Sequence, residues 1–103
     1  MAVRILAADD SATMRRVLEM TFAGEGVQIE TVDSGEAAVR RASESPPDLV
    51  IADSSMSMNG YDVSQAIKGN AATAQAAVIV LASQHHPFDS AKAKDLFQAI
   101  IDE

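Results

Sequence analysis

Three aspartates follow strand-like runs at places where a parallel sheet could bring them together. Asp9 and Asp10 come directly after the apolar run VRILAA, and Asp53 ends the run DLVIAD. Carboxylates packed together repel one another unless a cation lies between them, and oxygen ligands suit a hard ion such as Mg²⁺. A bound Mg²⁺ would leave one aspartate able to attack a phosphoryl group while the metal neutralises charge on the transferred oxygens. We interpret Asp53 as that nucleophile, and Asp9 and Asp10 as metal ligands.

A hydroxyl completes the predicted site, because Ser83 ends a further apolar run, AAVIVLAS, and could hydrogen-bond the phosphoryl group. Simpler roles exist for the same residues. Asp10 or Ser11 could cap a helix, and Asp53 could merely end a strand and begin a turn. A helix cap after one strand and a strand-ending turn after its neighbour are less common together than either is alone. We therefore favour the metal and phosphoryl interpretation.

The elements that must position these residues alternate between strand and helix. Apolar strands separated by helices predict an α/β fold with a parallel sheet covered on both faces, and binding sites in such sheets form beyond the carboxyl ends of the strands. In the first helix, we expect Val17, Leu18, Thr21 and Phe22 to form the buried stripe. The predicted strands are 3–8, 27–32, 48–53 and 76–83, and the predicted helices are about 12–23, 34–45, 61–68 and from 89 onward.

Length and composition limit the classes of protein to consider. A chain of 103 residues is expected to form one domain. A net charge of −7 argues against direct nucleic-acid binding, because phosphate contacts need a basic surface. The longest apolar run is too short to cross a bilayer, the N-terminus does not resemble a signal peptide, and there is no cysteine. We therefore expect a cytoplasmic protein without nucleic acid or membrane as a partner.

Three segments resemble the receiver domain of bacterial two-component response regulators: ILAADDSATMRRVLEMTF, PPDLVIADSSMSMNGYDV and VIVLAS. The resemblance implies a flavodoxin-like, doubly wound sheet in the order 2-1-3-4-5. It also implies phosphorylation of Asp53 by a histidine kinase or phosphotransfer protein, with Mg²⁺ held by Asp9, Asp10, Asp53 and the Ser55 carbonyl. Ser83 would be the switch hydroxyl, and the protein would signal to a downstream protein rather than act as an enzyme.

The sequence departs from the family pattern in two places. Receivers typically read Asp-x-x-Met-Pro-x-x-Asp-Gly after the phosphoacceptor strand, whereas DSSMSMNG has Ser57 in place of proline and is one residue shorter. Beyond Ser83, one alignment matches HPFDSAKAKDLFQAI to the Lys-Pro-Phe loop and fifth helix, which puts His86 in place of the switch lysine. A second alignment fuses the fourth and fifth helices. Both delete the fifth strand, so we expect the order 2-1-3-4 and an atypical segment from about residue 84.

Loss of the fifth strand would leave the fourth strand as an exposed apolar edge. We expect a homodimer, formed by edge pairing or by exchange of the fourth strand and last helix, although the last helix could instead cover the edge in a monomer.

Three functions are compatible with these observations. They are a phosphorylatable stand-alone receiver, a pseudo-receiver used for dimerisation or docking, and a phosphatase with an aspartyl nucleophile. The phosphatase is disfavoured because Ser55 stands where its general acid would be.

Overall fold

The computed structural model of the protein describes residues 3–24 and 26–81. Within these ranges four strands alternate with three helices, and all strands are parallel in the order β2-β1-β3-β4. The predicted α/β fold and the predicted order are therefore confirmed. Ser83, His86, the last predicted helix and the deleted fifth strand lie outside the described residues. The elements are β1 Val3–Ala8, α1 Ala12–Phe22, β2 Val27–Val32, α2 Gly35–Glu44, β3 Leu49–Asp53, α3 Gly60–Lys68 and β4 Ala77–Leu81.

The centre of the sheet explains why β3 reads as a continuous apolar run. All five of its residues are buried, because β1 and β4 flank it and helices cover both of its faces. Side chains alternate along the strand, so Val50 and Ala52 join the core beneath α2 and α3, while Leu49 and Ile51 join the core beneath α1. The carboxyl end of β3, and with it Asp53, is consequently held in a fixed place.

The buried face of α1 differs from the predicted stripe. Leu18 and Phe22 are buried and Met14 packs against the same core, but Val17 is 37% exposed and Thr21 is only half-buried. The prediction for Val17 is therefore wrong. Residues four positions apart lie above one another on a helix, so the line through 14, 18 and 22 faces the sheet and position 17 turns away from it.

Side-chain caps determine where α1 and α3 begin, and so shape the loops after β1 and β3. The Ser11 hydroxyl accepts a hydrogen bond from the Met14 N–H at 3.2 Å, so Ser11, one of the two candidates for the cap, is the residue that caps α1. The Asn59 side chain accepts from two amides in the first turn of α3, and the Asp62 carboxylate accepts from the Asn59 N–H in return. The Ser11 cap lies immediately next to Asp10, and the Asn59 cap ends the loop that carries Ser55.

β4 is an edge strand within the described part of the chain, since β3 is its one neighbour there. Its five side chains are half-buried, in contrast to the complete burial of β3. None of the three described helices has the length and apolar character needed to cross a membrane. The predicted homodimer through this edge remains a prediction.

Candidate functional site

Asp9 is held by hydrogen bonds to its backbone and to its carboxylate. Its N–H donates to the Val32 carbonyl at 3.1 Å, which continues the β1–β2 ladder for one further residue. Its carbonyl accepts from Arg15 Nη1 at 2.8 Å, and its Oδ1 accepts from the Ser11 N–H at 2.9 Å. The residue is only 2% exposed. The end of β1 therefore presents a buried and fixed carboxylate.

Asp53 is the last residue of β3 and is equally buried, at 2% exposure. Both carboxylate oxygens are engaged by Ser55. Oδ1 accepts from the Ser55 N–H at 3.2 Å, and Oδ2 accepts from the Ser55 hydroxyl at 2.8 Å. The next residue, Ser54, donates its N–H to the Leu81 carbonyl at 2.8 Å, so the chain follows β4 past the end of the strand. This arrangement orients the Asp53 carboxylate towards the rim of the sheet.

The predicted acidic cluster exists. One carboxylate oxygen from each of Asp9, Asp10 and Asp53 lies within 4.8 Å of the others, and Asp10 is the exposed member. Magnesium–oxygen distances are about 2.1 Å, so ligands on opposite sides of the ion are about 4 Å apart. Oxygens that lie within 4.8 Å of one another are close to that spacing. The three residues therefore fit a hard divalent cation in both donor type and separation.

Electrostatics favour a cation at this position. Burial raises the pKa of the Asp9 carboxyl above its ordinary value, and the neighbouring charges of Asp53 and Asp10 raise it further. The hydrogen bond from the Ser11 N–H and the charge of Arg15 act in the opposite direction without cancelling the rise. A divalent cation between the carboxylates would remove this mutual repulsion.

The raised pKa of Asp9 predicts how the stability of the metal-free protein depends on pH. A carboxyl with a raised pKa contributes stability that is fully present below its unfolded value, near 3.8, and that is lost as the pH rises through the folded value. Urea unfolding of the metal-free protein should therefore show wild type losing stability relative to Asp9→Asn as the pH rises above 3.8. The exposed Asp33 serves as the control position, and Asp33→Asn should leave the pH profile of wild type unchanged. Parallel profiles for wild type and Asp9→Asn would contradict the assignment.

The structure brings together the metal ligands predicted from the sequence, and places Ser55 beside Asp53. It also adds two contacts that were not anticipated. Arg15 supports the backbone of Asp9, and the Ser55 hydroxyl donates to Asp53, whereas only the backbone carbonyl of Ser55 was predicted to take part. The spacing of Arg15, one helical turn after the Ser11 cap, was the available signal for the first. Ser83 and His86 fall outside the described residues.

The loop between β3 and α3 is anchored by methionine. Met56 is 6% exposed and belongs to the core beneath α2 and α3, and the half-buried Met58 packs against the same core. The loop carrying Ser55 is therefore tied to the interior on its far side.

Comparison with known proteins agrees with this geometry. The response regulator receiver domain family matches residues 5–99. The transcriptional regulatory protein KdpE of Mycobacterium tuberculosis is 35% identical over 92 residues, which cover 88% of this chain and 39% of KdpE. Protein PilG of Pseudomonas aeruginosa is 30% identical over 93 residues, which cover 89% of this chain and 69% of PilG. The chain thus spans about two fifths of the length of KdpE.

A solved structure shows the same fold. The receiver domain of a sensor histidine kinase from Pseudomonas aeruginosa, determined with a magnesium ion coordinated in its active-site cleft, superposes with a TM-score of 0.87 at 20% identity. The superposition covers 100% of both chains. At that identity the likeness establishes the flavodoxin-like fold alone. The family match over most of the chain goes further, and this chain belongs to the receiver domain family of two-component response regulators.

Proposed function

We propose that this chain is a phosphoacceptor receiver that takes a phosphoryl group on Asp53 with Mg²⁺ bound by Asp9, Asp10, Asp53 and the Ser55 carbonyl. The observation that carries the proposal is the convergence of three carboxylates within 4.8 Å, two of them buried. Burying carboxylates together is unfavourable without a compensating cation. Their position beyond the carboxyl ends of β1 and β3 is where parallel sheets form binding sites.

The chain's own residues supply the nucleophile and hold it in position. A carboxylate oxygen of Asp53 attacks the phosphorus of a phosphohistidine, the phosphorus–nitrogen bond breaks, and an acyl phosphate forms. When bound, Mg²⁺ neutralises charge on the transferred oxygens. The Ser55 N–H orients the Asp53 carboxylate, and Arg15 and the Ser11 N–H hold Asp9. In this proposal the Ser83 hydroxyl bonds the phosphoryl group, and His86 substitutes for the family's lysine.

The proposal includes partners of defined types. Receiver domains are signalling modules rather than classical enzymes, and a histidine kinase or phosphotransfer protein would be the phosphodonor. A downstream protein would recognise the modified surface. The net charge of −7 disfavours nucleic acid as a direct ligand. We place the protein in the cytoplasm as a single receiver-like domain, residues 1–103, with an atypical segment from about residue 84. We propose that it forms a homodimer, either through the edge of β4 or by exchange of segments between chains.

Magnesium binding offers a direct test of the acidic cluster. Asp10→Asn removes the charge of one ligand at an exposed position, so the fold should persist. We expect the Mg²⁺ dissociation constant measured by titration calorimetry to rise at least roughly tenfold, since even loss of an outer-shell partner has that effect. Asp33→Asn, an exposed aspartate at the end of β2, should bind as wild type does. Equal affinity in wild type and Asp10→Asn would exclude this metal site.

A pseudo-receiver that docks or dimerises without phosphorylation is the second candidate. The observation that favours it is the engagement of both Asp53 oxygens by Ser55, in a loop one residue shorter than the family pattern. Two measurements after incubation with acetyl phosphate and Mg²⁺ separate the two candidates. Light scattering gives the mass of the oligomer, and mass spectrometry shows whether a phosphoryl group has been added to the chain. An unmodified protein with a constant dimer mass would support the pseudo-receiver, whereas phosphoryl addition would exclude it.

A further inference from the structure

The first residue of α2 packs against the β3–α3 loop with no space for a side chain. A Cβ atom built on Gly35 would overlap the carbonyl oxygen of Met58, and would lie 2.9 Å from the Met58 Cβ and 3.0 Å from its Cγ. The methionine side chain could rotate, but the carbonyl oxygen belongs to the backbone and can move only if the loop moves. The close approach therefore requires glycine at position 35.

Space, rather than backbone conformation, is the reason for this glycine. Among the described glycines, only Gly24 and Gly26 have positive φ angles, and a Cβ atom on either would meet no other atom within 4 Å. Gly35 differs from them in both respects. Its backbone conformation is open to any residue, but neighbouring atoms leave no space for a side chain. A substitution at Gly35 therefore acts through the contact with Met58.

The loop has few residues in which a displacement of Met58 could be absorbed. Met56 is buried in the core, and Ser57 alone separates it from Met58. On the other side, Asn59 forms a capping box, and a Cβ on Gly60 would lie 2.7 Å from the Ala52 carbonyl oxygen. The loop is also one residue shorter than the family pattern. A shift at Met58 is consequently transmitted towards Ser55.

The helix that carries Gly35, α2, is also held in place by its own contacts. Ala38 and Ala42 are fully buried in the same core as Met56, and Ser34 caps the helix by accepting from the Ala37 N–H at 3.1 Å. Movement of α2 away from the loop would open this core. An added methyl group at position 35 is therefore accommodated chiefly by the loop.

We propose that Gly35 is a positioning residue for the metal site, because its missing side chain sets the path of the loop that presents the Ser55 carbonyl. This inference rests on the proposed function for the role of that carbonyl. On this inference α2 influences the affinity of the acidic cluster for Mg²⁺, although the helix contributes no ligand. The connection runs from Gly35 through Met58 and Met56 to Ser55.

Gly35→Ala tests the inference through two measurements. In the metal-free protein, the amide resonance of Ser55 should shift in the nuclear magnetic resonance spectrum, which reports loop displacement without any ligand. In calorimetry, the Mg²⁺ dissociation constant should rise roughly tenfold, as for loss of an outer-shell partner. Ser43→Gly is the matched control, since it weakens the same helix at an exposed position about two turns away from the loop. It should leave both the Ser55 amide and the Mg²⁺ affinity unchanged.

Restoring length to the loop provides a second test. A glycine inserted between Ser57 and Met58 supplies the residue that the family pattern has, so Gly35→Ala in that background should change Mg²⁺ affinity by less than in wild type. An unmoved Ser55 amide, or equal Mg²⁺ affinity in Gly35→Ala and Ser43→Gly, would overturn the inference. If wild type itself bound no Mg²⁺, the proposed function would fail, while the Ser55 amide would still decide whether Gly35 places the loop.

Discussion

Asp53→Asn is expected to abolish phosphoryl addition from a small-molecule phosphodonor, and Asp33→Asn to leave it intact. An amide lacks the carboxylate nucleophile, yet the asparagine side chain has the same shape and its oxygen can still accept the hydrogen bond from the Ser55 N–H. The loss should therefore reflect chemistry rather than unfolding. The measurement is radiolabel retained from acetyl phosphate after a denaturing gel, with circular dichroism to compare the folds.

The control residue, Asp33, is also an aspartate but is not part of the acidic cluster. Asp33 follows β2, is exposed, and lies outside the cluster of Asp9, Asp10 and Asp53. Label on Asp53→Asn protein at the level of wild type would mean that a different residue accepts the phosphoryl group. Loss of label in both variants would indicate sensitivity to surface charge and would remove the support for Asp53 as the nucleophile.

Leu18→Ala should lower the free energy of unfolding by about 2–5 kcal/mol, the usual range for a truncated core leucine. Leu18 has no exposed surface and packs in the core between α1 and the sheet. Its neighbour Val17 lies on the outer face, so Val17→Ala should change stability by no more than about 0.5 kcal/mol. Urea denaturation of the three proteins at one pH measures both differences.

Comparison of Leu18→Ala with Val17→Ala tests which face of α1 is buried. A large loss for Val17→Ala together with a small loss for Leu18→Ala would mean that the helix is rotated relative to the structure. Such a rotation would also displace Arg15, which donates to the Asp9 carbonyl from the same helix. The stability measurement therefore bears on the support of the acidic cluster as well as on the core.

The sheet was predictable because strands in a parallel sheet are buried on both faces. The runs that form β1 and β3 are predominantly apolar, and the aspartates at or just after their ends mark the carboxyl rim. Parallel strands place those ends side by side, so Asp9, Asp10 and Asp53 could be grouped from the sequence alone. The strand order came instead from the family resemblance, since periodicity does not specify which strands are neighbours.

The supporting contacts were not predictable for physical reasons. Val17 and Met14 are both apolar, so composition could not decide which of them packs against the core beside Leu18 and Phe22. The contact between Gly35 and Met58 joins residues 23 positions apart, and no local pattern records it. Ser55 donates to Asp53 only because the loop turns back on the end of β3.

The intact mass of the wild-type protein after incubation with acetyl phosphate, with Mg²⁺ and with the metal chelated, tests the proposed function most directly. A phosphoacceptor receiver should gain the mass of a single phosphoryl group when Mg²⁺ is present and little or none when it is removed. An unchanged mass under conditions that modify an intact receiver would contradict the proposed function. Equal modification without Mg²⁺ would contradict the role of the acidic cluster as the metal site.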